Sequence, residues 1–191
     1  MASKVFSLNK AADYAAAIEG VENFAAPEGL DARKALHLRL LAEELIGKIG
    51  NIVQVHNGSL SAENSEGSYT LRLKANAPID RTAKSALLKA APQGKNSAYS
   101  GVKGKILLAL DFMSGETAVN QLPLGVFIPE GGEAQFAYDY EWSLSLYRKQ
   151  AEQDKKIEAW DELELSILSK LTDDIRVGVR SNCVDITLIV K

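Results

Sequence analysis

Cysteine occurs once in this chain, at position 183, which excludes an intrachain disulfide and any cysteine-based zinc cluster. In the alternating run Cys183-Val184-Asp185-Ile186-Thr187-Leu188 that residue reads as part of a strand, without chemistry of its own. Long hydrophobic runs are absent as well. A run such as Ile106-Leu107-Leu108-Ala109-Leu110 falls far short of the roughly 20 residues a bilayer-spanning helix needs, so no membrane segment is expected. The opening MASKVFSLNKAADYAAAIEG has neither the basic nor the continuous apolar region of a signal peptide, and the expected location is the cytoplasm. No sign of charge dominates: 22 Lys and Arg against 25 Asp and Glu leave a formal charge of −3, which implies neither nucleic acid nor an anionic membrane as partner. No stretch has the composition of a flexible linker, so residues 1–191 are expected to form a single domain.

The most informative stretch is 33–53, RKALHLRLLAEELIGKIGNIV. Leu38, Leu41, Leu45, Ile49 and Ile52 recur at helical spacing and predict one helix with an apolar face, with Asp31 as its N-cap. At about 100° per residue, His37, Glu44, Lys48 and Asn51 share one edge of that face, while Glu43 points away from the core. A polar edge beside a buried face is where a helix lines a site. The alternative is structural: Glu44 and Lys48 are in the favourable order for a helix ion pair worth about 0.2–0.5 kcal/mol.

Around this helix the patterns predict a strand over 5–8 and a helix over 10–19 with Asn9 as N-cap. Residues 59–64 and 68–75 read as a hairpin turning at Glu66-Gly67, with Tyr69, Leu71 and Leu73 on one face and Thr70, Arg72 and Lys74 on the other. A helix begins at Asp80 or Thr82 and stops before Pro92. Residues 114–139 are rich in turn signals, with strands expected over 122–128 and 135–140. Residues 142–171 are helical in pattern, with a break near Asp154, and 175–180 with 184–190 form a closing hairpin.

Between these lies Gln93-Gly94-Lys95-Asn96-Ser97-Ala98-Tyr99-Ser100-Gly101-Val102-Lys103-Gly104-Lys105, feeding an apolar helix over 106–113. Glycines and small polar residues leading into a helix N-terminus suit an anion, because unpaired backbone N–H groups and the helix dipole converge there. It is not a Walker A loop, since Ile106 follows Lys105 where Ser or Thr is required. A solvated lysine loop is the alternative.

This order of elements resembles the GHKL group of ATP-binding domains, the type shared by histidine kinases, gyrase and MutL, and within it the small anti-sigma-factor kinases. Leu40-Leu41-Ala42-Glu43-Glu44-Leu45-Ile46-Gly47 is similar to the group's N-box helix, and Leu165-Ser166-Ile167-Leu168-Ser169-Lys170-Leu171-Thr172-Asp173-Asp174 with the two strands after it is similar to the anti-sigma tail. The resemblance implies an α+β fold of Bergerat type: a two-layer sandwich in which a mixed, mostly antiparallel sheet is covered on one face by helices. It implies ATP as ligand, Glu44 as general base, and the Gly101-x-x-Gly104 turn with Lys103 and Lys105 on the phosphates.

The chain departs from that group at two boxes. Lys48 stands where the magnesium-holding asparagine belongs, and a protonated lysine has no lone pair to give a metal. It could instead meet phosphate as a point charge, while Asn51 lies about 5.4 Å further along the helix. The adenine-binding Asp-x-Gly-x-Gly box has no glycine in its counterpart Asn76-Ala77-Pro78-Ile79-Asp80, leaving Asp80 or Asn76 as acceptor. Three expectations follow. The leading one is a regulatory binding module acting through a protein partner, with weak or lost nucleotide binding and no resident magnesium. The second is an ATP-dependent kinase or ATPase using Glu44, with Lys48 and the glycine turn on the phosphates. The third is a binder of another phosphorylated metabolite through the lysine cluster. A homodimer would draw on apolar surface of the first or last helix.

Overall fold

The computed structural model describes residues 2–25, 27–49, 56–65, 67–76, 125–127, 140–153, 167–180 and 183–191. A first strand, β1 (Ala2–Leu8), leads into two helices, α1 (Ala11–Ala25) and α2 (Ala32–Glu44). Then come β2 (His56–Ser65), β3 (Ser68–Asn76), β4 (Val126–Phe127) and β5 (Tyr140–Ser143), the helices α3 (Leu144–Gln153) and α4 (Ile167–Leu171), and finally β6 (Asp174–Arg180) and β7 (Cys183–Val190).

The strands form one seven-stranded sheet in the order β1-β2-β3-β7-β6-β5-β4. Each pairing in it is antiparallel, so the parallel component of the expected mixed sheet does not occur among the described residues. The hairpins β2–β3 and β6–β7 stand as the alternation predicts, and Gly67 supplies the positive φ of +84° that the first turn needs. The seam between β3 and β7 pairs Leu71 with Leu188 and Leu73 with Ile186, joining the early and late parts of the chain. Those side chains, with Leu60, Ile175, Val177 and Trp142, share a sheet face and one buried cluster with Ala17, Val21, Leu38, Leu41, Leu144 and Tyr147 of the helices. The helices therefore lie on that face, and Arg72, Lys74, Glu141, Arg176 and Asp185 alternate to the other.

Several local expectations need correction. The α-helix predicted over 33–53 ends at Glu44; residues Leu45–Ile49 wind as a π-helical turn, and His56 is already in β2. The first helix starts at Ala11 and reaches Ala25, and the described cap is the Asp13 carboxylate, which accepts the amides of Asn9 at 3.0 Å and Lys10 at 3.1 Å. That is the third-position half of a capping box, where Asn9 had been expected to act through its own side chain. Asp31 caps α2 as expected, accepting the Lys34 amide at 2.8 Å.

Of the strand expected over 135–140, residues 135–139 lie outside the described residues; Tyr140 opens β5, so Trp142 is a strand residue and not the start of a helix. The reason is tertiary. Ser143 Oγ accepts the Leu146 amide at 3.3 Å, and Asp174 of β6 accepts the Ser145 amide at 2.9 Å, so the first amides of α3 are satisfied only from Leu144 onward. The predicted helices near 80–90 and 106–113 and the helical pattern over 154–166 lie outside the described residues.

Candidate functional site

Of the residues on the polar edge predicted from the sequence, His37 and Glu44 have described side chains, and Glu44 is the one beside a pocket. Leu41 and Ala42 bury the preceding turn of α2, and Leu45 and Ile46 bury the turn that follows, which holds Glu44 at the boundary of the core, partly exposed. The change to π winding starts at the next residue. A π turn closes i→i+5 instead of i→i+4 bonds, so the 100° periodicity that aligned Glu44 with Lys48 ends there. π turns are frequent at functional sites.

Glu44 borders a pocket of about 280 Å³ lined by Leu40, Glu43, Gly47 and Ile167 as well. Ile167 opens α4, the short helix packed against α2, and is 42% exposed. The site is thus shared by two segments at least 120 positions apart, and Ile167 was legible in the sequence only as one more apolar residue in a helical pattern. Nothing in that pattern marks it, since an exposed and a buried isoleucine at helical spacing read alike. Gly47 leaves the rim open: a Cβ built there meets no atom within 4 Å.

Of the two carboxylates that line the pocket, Glu43 belongs to a chain of ion pairs. Glu43 accepts from Arg39 Nε at 3.0 Å, and Arg39 Nη1 donates to Glu22 of α1 at 2.6 Å, a bridge that ties α1 to α2. Hydrogen bonding to Glu43 and then to Glu22 raises the Arg39 guanidinium above its ordinary value. His37 is partly exposed, precedes the pocket on α2 and is not among its lining residues. Among the described residues no cluster of His, Cys, Asp or Glu could hold a metal ion.

No family model matches the chain, and neither a curated protein nor a solved structure matches it. The site therefore has to be read from its own residues. Among those expected beside Glu44, the Lys48 side chain and the residues Asn51, Asp80, Gly101, Lys103, Gly104 and Lys105 lie outside the described residues.

Proposed function

We propose that this protein is a regulatory binding module on a divergent GHKL-like, Bergerat-type scaffold, resembling the anti-sigma group, that works through a protein partner and binds ATP weakly or not at all. The observation that carries this reading is the pocket at Glu44. A carboxylate at the core boundary, on the last α-helical turn of a helix that lies over an antiparallel sheet, supports it. The sequence beside it argues against efficient phosphoryl transfer. Lys48 stands where the resemblance calls for a magnesium-holding asparagine, and phosphoryl transfer depends on positioned metal and phosphate contacts. With Leu40 and Ile167 lining it beside the two glutamates, the pocket suits an apolar protein segment carrying a positive charge.

The test is a thermal-shift and calorimetric titration of the full chain with ATP and ADP at millimolar concentration, with and without magnesium, since a ligand that binds the folded state raises its midpoint. No turnover and little or no shift are expected. ATP turnover that disappears in Glu44→Gln would replace this reading with an ATP-dependent kinase or ATPase in which Glu44 is the general base.

A further inference from the structure

The sheet ends on one side at β1, and among the described residues no strand pairs with the outer edge of β1. Ser3, Lys4 and Val5 are exposed in succession, Val5 by 66%. Successive strand residues point to opposite faces, so three exposed in a row leave both faces of this edge open. An open edge carries a row of backbone N–H and C=O groups ready to pair with another strand.

We propose that β1 pairs antiparallel with β1 of a second copy of this chain, about a two-fold axis at Val5, so that the two sheets become continuous. The sequence of β1 is self-complementary in that register. Val5 faces Val5, Lys4 faces Phe6, Ser3 faces Ser7 and Ala2 faces Leu8. No like charges are opposed, which is the usual way a lysine on an edge strand prevents pairing. Lys4 meets an aromatic ring instead, and within one chain its Nζ already lies 5.4 Å from the Phe6 centroid, a cation–π distance.

The surface beside Phe6 fits the same occupant. A groove of about 550 Å³ opens between β1 and α1, lined by Phe6, Ser7, Asn9, Lys10 and Asp13 among others. Lys4 of the second copy, opposite Phe6, arrives at the mouth of this groove, where Asp13 supplies a carboxylate; Lys10 is the like charge in its lining. Above the strand, α1 packs on β1 and exposes Ala12, Ala15 and Ala16, small side chains that leave room for a second α1 beside the axis.

The experiment uses the full chain in light scattering and sedimentation equilibrium at micromolar concentration. A dimer is expected. Val5→Glu, a change at an exposed position, opposes two carboxylates on the axis and yields a monomer with an unaltered circular-dichroism spectrum. Val5→Lys does the same, and an equimolar mixture of the two variants recovers the dimer. A cross-link gives a second readout in a Cys183→Ser background. Directly opposed antiparallel residues have Cα atoms about 4.5–5.5 Å apart, within disulfide reach, so Val5→Cys oxidises to a covalent dimer. Lys4→Cys does not, because its two copies are diagonal neighbours about 7–8 Å apart. A chain that is monomeric at every concentration and gives no cross-link, or a dimer untouched by Val5→Glu, overturns the proposal.

Discussion

Arg72 of β3 holds both carboxylate oxygens of Asp185 on β7, with Nε at 2.8 Å from Oδ1 and 2.7 Å from Oδ2, across the seam that joins the early and late parts of the sheet. Asp185 is 3% exposed on the face away from the helices, and Arg72 Nη2 and Lys74 add to its surroundings. A carboxylate this well buried depends on its partner, and removing one member of such a pair leaves the other charge stranded. Asp185→Ala is expected to destabilise the fold by about 2–3 kcal/mol, below the full value for a buried pair because Arg72 is 28% exposed. The double variant Arg72→Met with Asp185→Leu should be less destabilised than the single one. Urea denaturation of the three chains checks both statements.

Two positions along the neighbouring strands, Glu141 shares that face with Asp185, with Gly178 between them in the ladder. Burial raises the Glu141 carboxyl above its ordinary value; Arg176 opposes this, Asp174 and Asp185 reinforce it, and Arg72 opposes it more weakly. A raised folded-state value means that the stability associated with the protonated form is complete below the ordinary value near 4.5 and is lost as pH rises through the folded value. Glu141→Gln is therefore expected to be more stable than the natural chain at pH 7, with the difference closing by pH 4. Thermal midpoints measured across that range decide it; a difference that stays constant would show that Glu141 acts by packing alone.

Gly125 sets the approach of β4 to α3. Its φ is +83°, and a Cβ there would lie 2.6 Å from Trp142 Nε1 and 2.8 Å from Tyr147 Cβ. The residue also donates its amide to Gln150 Oε1 at 2.6 Å and accepts the Ser143 amide at 2.9 Å. Backbone strain and overpacking, each worth about 1–3 kcal/mol, add in Gly125→Ala, and a loss of about 3 kcal/mol is expected. Loss of the near-ultraviolet signal of Trp142, whose ring lies 6.2 Å from that of Tyr147, should accompany it.

How much was legible varies with the range of the interaction. Tyr69, Leu71 and Leu73 announced their buried face because strand geometry has a fixed period of two, and Asp31 announced its cap because a side chain three residues away from its amide is a local matter. Trp142 misled, since apolar spacing continues through it into α3, while the position at which the helix can begin is set by Asp174, far along the chain. Glu44 was legible as a candidate from its place on the helix edge, but its pocket was not, because one wall is Ile167 of another helix.

The sequence by itself determined the local grammar of this protein: the alternating strands, the tight hairpins, the capped start of α2 and the exclusion of an intrachain disulfide. Those depend on neighbours a few residues apart, whose geometry the backbone dictates. Only the tertiary structure decided that β3 lies beside β7, that α2 turns to π winding after Glu44, that Ile167 lines a pocket with that glutamate, and that β1 is the last strand of the sheet among the described residues. Each of these is the outcome of competition among distant segments for one buried face, and that competition is settled by packing, which no local pattern records.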